Sequence, residues 1–548
     1  MPDLRPLLDG ATPRDRTRAL VLLAILAFVL RFIPALTAYP TPTDSAHFVQ
    51  FGMELAQGNP LGFSEHWSQW PILLAALAIK LNLDPGRALQ ASTVVAGVIA
   101  VCATVVLCFK LTGRWRIGLL AGFFAATNPS MIEYSVNSMG EMPYLAVILS
   151  ALGLAIPAGP DGRVSSRALI GGFFLLGVSI YYRPTEACTA AFFLAVLSVA
   201  FSPRDARKKT MIVTLAGLFI FACWLVPLTT LTRIRTGSGT PSAKIVNLAF
   251  GDYGTDSKAL YAVKSPVENE AKLLREKGVV GYIWLKRNEM TRRWVRNMGQ
   301  CVRIMKDQLL PASFKLGSGW FVLGGIFAAL AAWRHRHGRL WLCCLPFVFS
   351  MPALFSLSFV FPRWLIPSLP FLILLLSGTI ALVSGLRPER IWKAGLAIVF
   401  GLMMLNQAAY GIHAAGDGWR GRNIKDISRF AREHGSEDDV LMAIFPQYAI
   451  HFYKEHPFRW KRLHYGSIDE VEQAGEGYHA TLVIVAGQEF GHWPIHKLFE
   501  GTAPPPNWHL LGRKTFERLD PKWGLEVDDY LIYRREAPHA AEPVAEHL

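Results

Sequence analysis

Long apolar runs recur along this chain, and the segments between them alternate between rich and poor in Lys and Arg. About 20 apolar residues form a helix that crosses a bilayer, and basic residues gather in the connections that stay cytoplasmic. The pattern therefore constrains both the class of fold and its orientation. The first run covers residues 19–38 and follows Arg14, Arg16 and Arg18, so the N-terminus is expected in the cytoplasm. Residues 41–70, which hold Asp44, Glu54 and Glu65 but no Lys or Arg, are then expected outside. The stretch before the first run is long and mixed in charge, unlike a cleavable signal, and the run reads as a retained span.

Residues 71–83, PILLAALAIKLNL, are short for a span and contain Lys80, which suits an interfacial or re-entrant helix. This reading has an internal test. If the segment does not cross, GRWR at 113–116, SPRDARKK at 202–209, WRHRHGR at 333–339 and RPERIWK at 387–393 all face the cytoplasm. If it does cross, each of those basic clusters lies on the wrong side. The sequence thus predicts an α-helical polytopic membrane protein of about eleven spans, N-terminus in and C-terminus out. Two of those spans, 168–182 and 187–201, are short.

A formal charge of +15 raises the question of nucleic acid, but the cations lie between apolar runs, where membrane topology accounts for them. The expected partner is membrane lipid, with no nucleic acid. Six of the seven cysteines fall inside apolar runs, and no disulfide framework or zinc spacing is present. The expected organisation is a cytoplasmic N-terminus over 1–18 and a transmembrane domain over 19–411, with external loops at 39–90 and 233–311. Loop 233–311 mixes Leu, Val, Ile, Trp and Met with Lys and Arg at helical spacing, as in helices on a membrane surface or in a solvated helical linker. Residues 412–535 turn globular: ISRFAREHG reads as a helix, and DDVLMAIF, ATLVIVAG and VDDYLIYRR read as strands. This predicts an extracytoplasmic α/β domain, followed by a disordered tail over 536–548.

In this topology the notable polar residues gather on the outer face. They are Asp44, His47, Glu65 and His66, then Glu133, Asn137 and Glu141, then Tyr181, Tyr182, Arg183 and Glu186, and finally Arg363. Each alone has a structural reading, because ionisable residues at a membrane boundary are common. Asp44 suits the N-cap of a helix over SAHFVQFGMELA. Arg183 and Arg363 suit snorkelling to the interface; Arg31, inside the first span near its outer end, suits snorkelling as the simpler account, with a buried partner or the donor phosphate as the other readings. Their convergence on one side favours a site.

The segments FGMELAQGNP after Asp44, WPILLAALAIKL, TNPSMIEYSVNSMGEMPY at 127–144, RPTE at 183–186 and FPRWLIPSLPFL at 361–372 occur in this order. In that order the chain resembles the GT-C glycosyltransferases, especially the protein O-mannosyltransferase and aminoarabinose-transferase branch. The match is good over 19–144 and weaker beyond. The resemblance implies inverting transfer of a sugar from a polyprenyl-phosphate donor to a glycan, lipid or protein acceptor at the outer face of the inner membrane. It implies Asp44 as the catalytic base and Arg183 and Arg363 as phosphate-binding cations. Glu65, Glu141, Tyr182 and Glu186 would bind the acceptor or the donor sugar. Many relatives carry two adjacent acidic residues where this chain has Asp44 between Thr43 and Ser45. Either Glu65 supplies the second carboxylate, or the acceptor differs, or no metal is used. No cofactor is called for and no metal ligand is assigned, with a divalent metal left open.

The rival reading from another class is a lipid or solute transporter or flippase. Transporters carry repeated halves and polar residues at mid-membrane, whereas this chain shows no repeat and its acidic residues lie at span ends. An inactive GT-C-like binding scaffold is the third reading.

Overall fold

The computed structural model describes residues 12–38, 43–59, 68–157, 165–236, 266–309, 338–357, 362–386, 390–416, 419–436, 438–443, 447–453, 459–463, 467–487, 494–520 and 524–536. Helix α1 (Pro13–Thr37) starts in a capping box: the Thr12 hydroxyl accepts from the Asp15 N–H, and the Asp15 carboxylate accepts from the Thr12 N–H. Pro13 occupies the first helical position, where its missing N–H loses no bond. The outer surface of α1 exposes Val21, Leu22, Ile25, Phe32 and Leu36, an apolar face that suits lipid.

Two shorter helices follow, α2 (Thr43–Ala56) and α3 (Gln69–Lys80), packed on each other. Their backbones meet at Gly52, where an added Cβ would lie 2.7 Å from Ala75 Cβ. At 12 residues, α3 is too short to span, as the sequence predicts for this stretch. Helix α4 (Pro85–Thr112) opens with the Asp84 carboxylate accepting from the Arg87 N–H at 2.9 Å. It packs along α5 (Trp115–Thr127) and α7 (Glu141–Ala155).

Between α5 and α7 lies the short α6 (Pro129–Val136). The Asn128–Pro129 pair sets this break. Pro129 has no N–H to continue α5, and the Asn128 side chain accepts from the Met131 N–H at 3.0 Å to start the next helix. Helices α6 and α7 then meet at 117°.

The chain continues through α8 (Ser166–Ser179), α9 (Pro184–Ala200), α10 (Arg207–Thr236), α11 (Pro266–Leu285), α12 (Arg287–Leu309) and α13 (Gly338–Phe355). A 3₁₀ turn (Pro362–Ser368), α14 (Leu369–Leu386) and α15 (Arg390–Gly416) complete the helical body. Among the described residues four helices are long and apolar enough to cross a membrane, or five if the bent α6–α7 pair is one span. Five further apolar helices are shorter. One run in the expected set of eleven falls within 310–337, outside the described residues. Helix α12 buries Met290, Arg293, Asn297 and Cys301. Arg293 Nη1 and Asn297 Nδ2 donate to the Leu357 and Ser356 carbonyls, each at 3.1 Å. The C-terminal part of the 233–311 segment is thus fastened to the helical body.

The C-terminal domain comprises α16 (Trp419–Glu433), β1 (Leu441–Ala443), α17 (Gln447–Phe452), β2 (Trp460–Arg462), α18 (Ile468–Gly477), β3 (Leu482–Ala486), β4 (Trp508–Asp520) and β5 (Gly524–Arg535). The sheet order is β2-β1-β3-β5-β4, with β1 parallel to β2 and β3, and β5 antiparallel to β3 and β4. Strands β1, β3 and β5 are the three the sequence predicts. Strands β2 and β4 are edges, and their charged sequences, WKR and WHLLGRKTFERLD, hide the strand pattern while discouraging edge-to-edge association.

Successive side chains on a strand point to opposite faces. Met442, Val483, Val485, Leu531 and Tyr533 form one core with α18. Leu441, Ala443, Leu482, Ile484, Tyr530 and Ile532 form the other, which is continuous with Phe48, Val49 and Met53 of α2 and Ile72 and Ala75 of α3. A fully buried large apolar side chain contributes ~1.5–3 kcal/mol, so this seam, which runs through Tyr448, Ala449 and Phe452 of α17, fixes the C-terminal domain against α2. The expected disordered tail, but for Glu536, lies outside the described residues.

Candidate active site

Asp44 lies in the first turn of α2. Its Oδ2 accepts from Arg363 Nη1, in the 3₁₀ turn before α14, at 2.7 Å, and both side chains remain partly exposed, at 20% and 28%. The helix already includes Thr43, so Asp44 lies inside it and does not serve as the N-cap. A carboxylate there favours the helix dipole, and Arg363 orients it. The rim beside them is set by His47, one turn along α2, whose ring meets Trp460 of β2 edge-on at 5.9 Å.

Deeper, Arg183 is held between two carboxylates. Its Nη1 donates to Glu186 Oε1 at 2.8 Å, within the start of α9, and its Nη2 donates to Glu141 Oε1 at the start of α7. The three residues are 7%, 4% and 1% exposed respectively, which makes them a buried ion cluster. Burial works against the Arg183 charge, but Glu141, Glu186 and, at longer range, Asp44 outweigh it and raise its pKa. This guanidinium is therefore committed to carboxylates, and Arg363 is the more accessible of the two cations expected at a phosphate. Neither arginine snorkels alone, as its structural reading required; each bonds a carboxylate.

Tyr182 stands at the edge of this cluster. It lines a cavity of about 310 Å³ with Trp70, Pro71, Leu77, Met139 and Pro143. Its carbonyl accepts from Ser68 Oγ at 2.7 Å, and the Gln69 N–H donates to the Tyr181 carbonyl at 2.8 Å, so α3 is clamped onto the α8–α9 turn. Glu65 and His66 lie outside the described residues. Among the described residues no three His, Cys, Asp or Glu side chains are grouped to hold a metal ion.

Two residues stand differently from the sequence reading. Tyr134, in α6, lies within electrostatic reach of Glu133, Glu141, Arg183 and Arg363. It falls within the IEYS part of the quoted motif, yet nothing local marks a tyrosine after a glutamate as a neighbour of those groups. Arg31 does not snorkel: it is fully buried, and it donates to one hydroxyl and three carbonyls.

No protein-family model matches the sequence, and no curated protein matches it. Solved structures do. ArnT from Cupriavidus metallidurans bound to undecaprenyl phosphate is 12% identical, with a TM-score of 0.58 over 95% of this chain and 99% of that one. Its apo form aligns with a TM-score of 0.56, 12% identity, and 94% and 98% coverage. The archaeal oligosaccharyltransferase AglB from Archaeoglobus fulgidus, in complex with an inhibitory peptide and a dolichol-phosphate, gives a TM-score of 0.53 at 11% identity over 97% of this chain and 75% of that one. At such identities the likeness shows the fold: this chain has the polytopic GT-C fold, as its motifs predict.

Proposed function

We propose that this protein is an inverting glycosyltransferase that moves a sugar from a polyprenyl-phosphate donor to an acceptor at the extracytoplasmic face of the membrane. The observation that carries the reading is the Asp44–Arg363 pair, at the foot of the C-terminal domain and beside a buried acid–base cluster, in a fold shared with two lipid-phosphate-bound transferases. In this reading the N-terminus is cytoplasmic and the C-terminal domain extracytoplasmic.

Asp44 takes the proton of the acceptor hydroxyl as its oxygen attacks the anomeric carbon. The bond from that carbon to the phosphate oxygen breaks, and the lipid phosphate leaves with the electron pair. Arg363 stabilises the growing phosphate charge; a guanidinium has five N–H donors, enough for a carboxylate and a phosphate oxygen together. Glu141 and Glu186 hold Arg183, and with Tyr182 they shape the wall against which a sugar would rest. Glu65 is kept as a further sugar contact.

The test is transfer by purified protein in lipid from a panel of polyprenyl-phosphate sugars, with binding of undecaprenyl phosphate measured alongside. Transfer together with binding supports the proposal. A protein that binds no lipid phosphate and transfers nothing would sink it and bring the transporter reading forward.

A further inference from the structure

We infer that Arg31 is a positioning residue, which clamps the break between α5 and α6 and so fixes where α7 presents Glu141. The catalytic part of this inference rests on the proposed transfer site. The guanidinium is fully buried inside the first span. Its Nε donates to Ser135 Oγ at 3.0 Å, its Nη1 to the Ala27 and Ala126 carbonyls at 3.0 and 3.2 Å, and its Nη2 to the Ala125 carbonyl at 3.3 Å. A buried arginine in a membrane helix pairs with an opposite charge or with backbone carbonyls. Here, among the described residues, its hydrogen-bond partners are carbonyls and a hydroxyl.

Those partners have a common origin. In an unbroken helix the Ala125 carbonyl would accept from the N–H of the residue four positions on, which is Pro129 and has none. Ala126 is the penultimate residue of α5, where carbonyls also lack helical partners. Arg31 supplies donors to both from another helix, and its charge meets the negative end of the α5 dipole. On the far side it bonds Ser135 in the last turn of α6, whose hydroxyl donates to the Met131 carbonyl at 2.5 Å. One side chain therefore grips the chain just before α6 and again near its end.

Helix α4 completes the clamp. An added Cβ at Gly97 would lie 2.7 Å from Arg31 Nε and 2.2 Å from Ser135 Oγ, so α4 leaves room for this bond only by lacking a side chain. Gln90 Nε2 donates to the Val136 carbonyl at 3.2 Å, at the start of the turn that leads to Glu141. With α6 fixed at both ends, the start of α7 has little freedom.

The experiment compares Arg31→Met, Arg31→Lys and Gly97→Ala with wild type in lipid nanodiscs, by hydrogen exchange and by transfer. Arg31→Met and Gly97→Ala should speed amide exchange over 129–141 by about tenfold while α2 and the sheet keep their protection. Binding of undecaprenyl phosphate should stay within about threefold while kcat for transfer falls about tenfold or more, with donor KM unchanged. Arg31→Lys should recover part of both losses, because one ammonium reaches fewer carbonyls than a fork. The exchange arm needs no sugar donor, so it judges the clamp even if wild type transfers nothing. Unchanged exchange at 129–141, or an equal rise throughout the bundle, overturns the clamp. Wild-type transfer from a variant with loosened 129–141 overturns the positioning role.

Discussion

Arg363 reaches across 319 positions of sequence to place Nη1 2.7 Å from Oδ2 of Asp44. The contact joins the helix after the first span to the turn that opens α14, on the same helix α2 against which α17 of the C-terminal domain packs. If Asp44 is the base, Asp44→Asn should lower transfer by about 10²–10⁴-fold and leave undecaprenyl phosphate binding intact. Arg363→Gln should weaken that binding as well as transfer. Kinetic assay and lipid-phosphate binding on the same preparations separate the two effects, and an Asp44→Asn protein with normal turnover would refute the base assignment.

Removing Arg183 leaves Glu141 and Glu186 buried without their cation. Breaking such a buried network costs ~3–5 kcal/mol, so Arg183→Met should lower the thermal midpoint markedly in detergent or lipid. Adding Glu141→Gln should return part of the loss, since one of the two stranded charges is gone. A double variant less stable than Arg183→Met would contradict this account of the cluster.

At Gly52 a methyl group has nowhere to go, because Ala75 lies on the opposing helix. Overpacking of this kind costs ~1–3 kcal/mol, and Gly52→Ala should shift α2, and Asp44 with it, lowering both stability and transfer. Gly299→Ala on α12, where nothing lies within 4 Å of the added carbon, is the control and should leave transfer unchanged and stability equal or higher by up to ~1 kcal/mol. Equal behaviour of the two variants would mean the α2–α3 contact is softer than its geometry implies.

The C-terminal domain carries its own acid sensitivity. Glu472 accepts from Arg535 Nη2 at 2.7 Å, from Asn507 Nδ2 at 2.6 Å, and from the Trp508 indole. Burial raises the Glu472 pKa, but the bonds from Arg535, Asn507 and Trp508 outweigh it and hold the carboxyl below its ordinary value of 4.5. A depressed carboxyl contributes stability that is present above the unfolded value and is lost as pH falls through the folded one. Melting curves below that ordinary value should therefore drop less steeply with pH in Glu472→Gln, which starts lower, than in wild type. Parallel curves would show that Glu472 does not drive the acid response.

The class of fold and strands β1, β3 and β5 were legible in the sequence, whereas the one helix cap read there, Asp44, lies inside its helix. The legible features depend on hydrophobic period, so the information is local. The motifs around Asp44, Glu141, Arg183 and Arg363 marked the candidate residues through the family resemblance, helped by their shared place on the outer side of the spans. Which cation meets which carboxylate was decided only by tertiary packing. Arg363 on Asp44, Arg183 between Glu141 and Glu186, and Tyr134 near these groups all depend on how separate helices approach one another. The seating of the C-terminal domain on α2, through α17, was likewise absent from any local pattern, because both partners present ordinary apolar faces until they meet. Arg31 shows the limit most sharply. From its place in the first span alone, snorkelling was the simpler reading, and only the orphaned carbonyls that Pro129 creates on another helix give the buried guanidinium its partners.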